Sequence, residues 1–124
     1  MDAHSAACSS SLAPFYIDWQ DLLDSVGGDA QVLREVVAAY ATEIDSELER
    51  LDRGLASNDL TTAEKASHKL KSAMRFFRLE PVAAAAERAE AAAENGDHSA
   101  ASAACAEFGP GALRLLSAIA AWLD

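Results

Sequence analysis

The sequence predicts an all-α protein, an antiparallel up-and-down four-helix bundle with an extra short helix at its N-terminal end. Apolar residues recur at the 3.6-residue helical period through several long segments, which short polar or glycine-containing breaks separate. Aromatic residues are 6% of the chain and alanine is abundant, a composition that favours closely packed helices over a sheet. No segment shows the two-residue alternation typical of a strand. With 124 residues, the chain is long enough for one domain.

The first two helices have recognisable boundary signals. Asp18 is placed to cap a short helix, which Gly27-Gly28 should end. Asp29 can cap a second, longer helix over residues 30–56, in which apolar residues form a nearly continuous stripe and acidic residues lie outside it. We therefore expect the short helix to cover one end of the bundle.

The third and fourth helices also have recognisable starts. The third has two candidate caps, which are Asp59 and, in a capping box with Glu64, Thr61. The fourth should begin near Pro81, because the missing N–H of proline costs nothing in a first turn. Asn95-Gly96 should end it.

The last helical region contains a potential break. It begins near Ser99, and its apolar stripe resumes at Leu113. Between these points lies Gly109-Pro110-Gly111. Because proline removes a backbone hydrogen bond inside a helix, we expect this tripeptide to kink or interrupt the helix.

The chain divides into a flexible N-terminal tail, residues 1–14, and a helical bundle domain, residues 15–124. The tail lacks the basic stretch and the continuous apolar segment of a secretory signal. Cys8 and Cys105 lack the spacing of metal ligands, and we expect two reduced thiols rather than a disulfide. We also expect the protein to be cytoplasmic and monomeric.

Charge and motif content exclude several function classes. The formal net charge of −10 argues against nucleic acid or an anionic membrane surface as a partner. No apolar run reaches the roughly 20 residues that span a bilayer. The three histidines, His4, His68 and His98, have no helical pairing, so no metal site is expected. No glycine-rich nucleotide loop is present.

His68 is the one position that suggests covalent chemistry. At about 100° per residue, it points roughly 160° away from Leu70, the expected centre of the buried face. Lys71, Ser72 and Arg75 lie within about 60° of it. Imidazole is a competent nucleophile near neutral pH, and phosphoryl transfer needs mainly positioning and nearby positive charge. On spacing alone, however, such a histidine is more often an ordinary surface residue.

The residues around His68 resemble a known signature. Ser67-His68-Lys69-Leu70-Lys71-Ser72-Ala73 is similar to that of histidine-containing phosphotransfer (HPt) domains, which is His, any residue, Leu, Lys, then Gly or Ser and small residues. Gly28-Asp29, Tyr40 and Ala89-Glu90 also match the family pattern. The resemblance covers residues of about 18 to 123.

This resemblance implies a four-helix bundle that carries phosphate and is not an enzyme. It would relay a phosphoryl group between receiver-domain aspartates of response regulators, or from a hybrid sensor histidine kinase to a regulator. His68 would be the phosphoacceptor, Lys71 would stabilise the phosphoryl group, and Ser72 would permit close docking. The chain would need no cofactor of its own. With no acid, base or metal expected at the histidine, the partner receiver domain would supply Mg²⁺ and the reacting carboxylate.

Four further residues are candidates for partner docking: Lys69, Arg75, Phe76 and Arg78. Arg78-Leu79 stands where the family usually has glycine and a small residue, and Arg78 is expected to widen a basic rim around His68. Phe76 should pack against a neighbouring helix or join an apolar docking patch. A basic patch on an acidic protein would steer a carboxylate-rich receiver domain towards the histidine.

Two alternatives to the carrier remain. One is a non-phosphorylated helical docking module that binds a receiver or a kinase. The other is the phosphoacceptor region of a larger kinase. The presence of both His68 and Lys71 favours a carrier over the docking module, because a degenerate member would be expected to lose one of them.

Overall fold

The computed structural model describes residues 15–124, and these residues form five helices with no strand among them. The helices are α1 (Trp19–Ser25), α2 (Ala30–Ala56), α3 (Leu60–Phe76), α4 (Glu80–Glu94) and α5 (His98–Leu123). The predicted all-α bundle, four long helices with a short one before them, is confirmed. The predicted flexible tail, with His4 and Cys8, lies outside the described residues.

Aspartate side chains begin four of the helices. Asp18, Asp29 and Asp97 each accept a hydrogen bond from a backbone N–H in the first turn of α1, α2 and α5. Asp59 does the same for α3, while Thr61 lies within that helix, so Asp59 is the cap and the capping-box alternative is wrong. The exception is α4, whose N-cap makes no side-chain hydrogen bond but whose first turn contains proline, as predicted.

The core is formed by α3 together with the helices that pack around it. Leu70 and Met74 of α3 are fully buried, as are Val37 of α2 and Leu115 of α5. The face that α4 contributes consists mostly of alanine. The buried residues of α4 are Val82, Ala83, Ala85, Ala86, Ala89 and Ala93. Such small side chains let helix axes approach closely.

Gly111 lies where α4 and α5 approach each other closely. A Cβ placed on Gly111 would lie 2.8 Å from Val82 Cγ2, so a larger residue would have to push the two helices apart. The helix α5 nevertheless remains continuous from His98 to Leu123, so of the two outcomes predicted for Gly109-Pro110-Gly111, a kink or an interruption, the interruption is wrong. Pro110 and Ala106, whose carbonyl loses its hydrogen-bond donor, both lie on the exposed face, where water can solvate that carbonyl.

Aromatic contacts attach α1 to one end of the bundle. Trp19 stacks on Trp122 with ring centroids 4.4 Å apart and packs edge-on against Phe77 at 6.3 Å. Arg34 of α2 donates a hydrogen bond to the carbonyl of Leu123 at 2.7 Å, which ties the last turn of α5 to the same end. The short helix thus covers one end of the bundle, as predicted. None of the helices in the described range has the length and apolar character needed to cross a membrane.

Candidate functional site

His68 lies near the middle of α3 on its outward face, with 59% of its side chain exposed. Its neighbours Ala66 and Ser67 are buried, as is Leu70 on the opposite face. The amphipathic pattern of α3 therefore places the imidazole in solvent, as the helical spacing predicts. Two helices flank this face, α4 on one side and α2 on the other.

Glu90 of α4 contacts both His68 and Lys71. Its Oε2 lies 2.8 Å from His68 Nδ1, and its Oε1 lies 2.7 Å from Lys71 Nζ. Lys71 and Glu90 are largely buried, with 13% and 19% of their side chains exposed. The expectation that the histidine has no acid or base of its own is therefore wrong, because the neighbouring helix places a carboxylate on it.

The protonation of this pair follows from its surroundings. Burial raises the pKa of Glu90, but hydrogen bonds from Lys71 and His68 outweigh it and hold that pKa below its ordinary value. An ionised carboxylate can only accept, so His68 donates its Nδ1–H to Glu90. In the neutral ring, Nε2 then carries a lone pair that faces away from Glu90.

Ser72 lies one turn after His68 and is small and exposed. Its hydroxyl donates a 3.3 Å hydrogen bond to the carbonyl of His68, which turns the side chain back onto its own helix. Ser72 therefore adds little bulk beside the imidazole.

Lys69 lies on the side of the site that faces α2. Its Nζ is 3.7 Å from Glu47 Oε2, and half of the Lys69 side chain is exposed. Glu47 is nearly buried, with 6% of its side chain exposed, and Arg50 donates to both of its oxygens at 3.2 Å. The buried carboxylate thus fixes one cation beside the histidine and another on α2.

Arg75 and Arg78, both predicted to take part in partner docking, are paired with carboxylates. Arg75 lies 3.3 Å from Glu87 and 3.9 Å from Glu80, both on α4. Arg78 lies 3.0 Å from Asp21 of α1. The predicted basic rim is therefore closer to electrically balanced than the sequence suggested.

Arg78 ends α3 at the position where the family usually has glycine. Arg78 has a φ of 62°, the left-handed conformation that glycine adopts at little cost. The N–H of Leu79 donates to the carbonyl of Met74, and that of Arg78 donates to Arg75, which is the Schellman pattern. The helix therefore ends with the usual geometry although the usual residue is absent.

Phe76 packs against a neighbouring helix, which was one of its two predicted placements. Its ring stacks on Tyr40 of α2 with centroids 4.7 Å apart, and it meets Phe77 edge-on at 5.1 Å. The side chain is partly buried, so part of it remains available at the surface two turns from His68.

Sequence reasoning assigned no role to Glu90. It lies 22 positions from His68, and helical spacing within one segment carries no information about contacts between helices. The signal that could have found it was the match of Ala89-Glu90 to the family pattern. Within residues 15–124, no group of three or more His, Cys, Asp or Glu side chains is arranged to hold a metal ion.

Comparison with known proteins identifies a family for this chain. A family model described as the Hpt domain matches residues 35–122, which include α3, α4 and most of α2 and α5. Both His68 and Glu90 lie within the matched range. No curated protein and no solved structure gives a significant match to the chain.

Proposed function

This chain belongs to the Hpt domain family, whose members transfer phosphate through histidine in phosphorelays, and on that premise we propose that His68 is its phosphoacceptor. The observation that carries the proposal is the exposed imidazole whose Nδ1–H is donated to Glu90. This contact leaves the outward nitrogen, Nε2, as the nucleophile.

The proposed reaction begins with the aspartyl phosphate of a receiver domain. The Nε2 lone pair attacks phosphorus, the bond between phosphorus and the aspartate oxygen breaks, and its electron pair returns to the carboxylate. The ring becomes cationic because Nδ1 keeps its proton, and the ionised Glu90 stabilises that charge at 2.8 Å. Return of the phosphoryl group to an aspartate reverses these steps.

Lys71 supplies positive charge on the α4 side of the proposed acceptor. An ammonium group has three N–H donors, so Lys71 can keep its 2.7 Å contact with Glu90 and still donate to a phosphoryl oxygen. Ser72 leaves space for the partner's loops because its hydroxyl is turned onto the backbone of α3.

The proposed partner is the receiver domain of a response regulator or of a hybrid sensor histidine kinase. It would supply the aspartate and the Mg²⁺ that neutralises charge on the transferred group. The surface that the partner would cover includes Lys69 beside the histidine and extends along α3 to Arg75, Phe76 and Arg78 at its C-terminal end. Arg75 and Arg78 would exchange or share their carboxylate partners on docking, because both are already ion-paired.

The test is phosphate transfer from a phosphorylated receiver in the presence of Mg²⁺. We expect acid-labile, alkali-stable phosphate on the wild-type protein and its complete loss in His68→Gln. The matched control is His4→Gln, which changes a histidine of the N-terminal segment and should be labelled like wild type.

Two results would contradict the proposal. Label retained by His68→Gln would exclude His68 as the acceptor. Binding to the receiver without any transfer to the wild-type chain would favour the docking module.

A further inference from the structure

A groove with a volume of about 380 Å³ runs beside His68 and is lined by residues of α3, by Arg50 of α2 and by Glu90 of α4. Its lining combines cations from α2 and α3 with the imidazole itself. The lining residues are Arg50, Glu64, Lys65, His68, Lys69 and Glu90. Lys71, the cation expected to stabilise the phosphoryl group, does not line this groove.

Lys65 and Lys71 occupy equivalent positions on the two sides of His68. They lie three residues before and three residues after it, so each is about 60° around the helix from the histidine, in opposite directions. Lys71 is mostly buried and bound to Glu90. Lys65 is exposed, and within residues 15–124 it forms no ion pair.

The other two cations of the groove are already ion-paired and share one carboxylate. Arg50 and Lys69 both contact Glu47. Lys65 acts on Asp59 only weakly, as the last of the causes that hold the pKa of Asp59 below its ordinary value. Lys65 is therefore the cation in this groove with the most freedom to meet a new anion.

The contact with Glu90 orients the proposed acceptor nitrogen relative to Lys65. Nδ1 is bound to Glu90 of α4, so Nε2, on the other side of the ring, faces away from that carboxylate. His68 and Lys65 line the same groove, and Lys65 is exposed. Its long, flexible side chain can therefore reach into the groove towards a group on Nε2.

We propose that Lys65 is a second phosphoryl-stabilising residue, which binds the phosphate on His68 from the α2 side while Lys71 remains bound to Glu90. The inference rests on the proposed function of His68. A flexible lysine ammonium is a compact point charge suited to phosphoryl oxygens. Glu64, which precedes Lys65 in the same turn of α3, adds negative charge to the groove and should disfavour the phosphoryl dianion.

The test uses phosphoramidate, which needs no partner protein. Nε2 bonds to phosphorus, the P–N bond of phosphoramidate breaks, and its electron pair leaves with nitrogen, which takes up a proton as ammonia. The ³¹P resonance of phosphorylated His68 is identified by its absence in His68→Gln. The position of this resonance is then followed as a function of pH. A nearby ammonium favours the phosphoryl dianion and lowers the pKa of the phosphoryl group.

We expect Lys65→Gln to raise the pKa of the phosphoryl group by a few tenths of a pH unit, as for an exposed charge pair. Glu64→Gln should lower it by a similar amount. Both changes should shrink at high salt, because screening shortens the range of exposed charges. The matched control is Arg88→Gln, which removes a positive charge on the α5 side of α4, where Arg88 pairs with Glu107.

The outcomes separate this inference from the proposed function. A titration unchanged in Lys65→Gln, or shifted equally in Arg88→Gln, would overturn the role of Lys65 and leave His68 as the acceptor. A protein that gives no resonance dependent on His68 would overturn both. Circular dichroism of each variant should match wild type, because both lysine and glutamate side chains are solvent-accessible.

Discussion

The two sides of His68 differ in how their cations are compensated. On the α4 side, Lys71 and Arg75 contact glutamates that α4 projects towards α3, and one of these glutamates also binds the imidazole. On the α2 side, the nearest compensating carboxylate, Glu47, is buried in the interface, and a groove remains open beside the ring. The α4 side positions the ring, while the α2 side leaves space and the ammonium of Lys65, which forms no ion pair within residues 15–124.

This difference has its origin in the residues that pack the two interfaces. The buried residues of α4 are mostly alanines, whereas those of α2 include Leu33, Val37, Ile44 and Leu51. Small side chains permit a shorter distance between helix axes than large ones. The alanine face of α4 therefore allows the Glu90 side chain to reach His68. The comparison indicates that the residues packed between the helices determine which charged groups meet at the surface.

The largest effect should come from removing the carboxylate on the α4 side. Glu90→Ala eliminates a charge-assisted hydrogen bond worth about 1.5–3 kcal/mol, so phosphorylation of His68 by phosphoramidate should slow roughly 10- to 100-fold. Glu90→Gln keeps an acceptor without the charge and should show a smaller loss. Equal rates in wild type and Glu90→Ala would show that the carboxylate does not position the ring.

A larger side chain in the interface between α4 and α3 should move Glu90 away from His68. This would reduce the difference between the two sides of the histidine. Ala89 is fully buried, and Ala89→Leu inserts a large side chain beside Glu90. We expect a loss of about 1–3 kcal/mol in the free energy of unfolding, measured by urea denaturation, together with slower phosphorylation. Ala91→Leu on the exposed face of α4 is the matched control and should be nearly neutral. A neutral Ala89→Leu would contradict the close-packing explanation.

The pH dependence of stability should reveal the charge on Glu90. Its pKa is lower in the folded protein than its ordinary value of 4.5, so its contribution is present above that pH and is lost as the pH falls through the folded pKa. The difference in free energy of unfolding between wild type and Glu90→Gln should thus shrink below about pH 4.5, where the Glu90 carboxylate becomes protonated. A difference that persists unchanged in acid would contradict this linkage.

The smallest expected effect comes from a change at the C-terminal end of α3, away from the two sides of His68. Arg78→Gly relieves a left-handed backbone conformation at a gain of up to about 1 kcal/mol, but it removes the ion pair with Asp21, worth about 0–1 kcal/mol. The gain in unfolding free energy should be larger in an Asp21→Asn background than in wild type. Equal gains in both backgrounds would show that the ion pair contributes nothing.

The fold was largely predictable because its signals are local. These signals are the capping aspartates, the glycines after helix ends and the apolar period of each segment, and each depends on residues close together in sequence. They correctly predicted the bounds of α2 and the exposure of His68. The continuity of α5 was not predictable, since it depends on which face Pro110 occupies in the assembled bundle.

The electrostatics of the site were harder to predict. The positions of Lys71 and Arg75 follow from the geometry of α3, but their partners come from α4. The spacing within one helix does not specify which glutamate of the next helix will face it. The same limitation made the region around His68 look more basic in the sequence than it is in the fold.

The stacked pair Trp19 and Trp122 provides the protein with an internal optical reporter. These are the chain's two tryptophans, their rings are 4.4 Å apart and nearly parallel, and they join α1 to the last turn of α5. Their fluorescence and near-ultraviolet circular dichroism therefore report on the docking of α1. Detachment of α1 can be measured by these optical signals while phosphorylation of His68 is measured by ³¹P resonance. The two events can therefore be monitored independently.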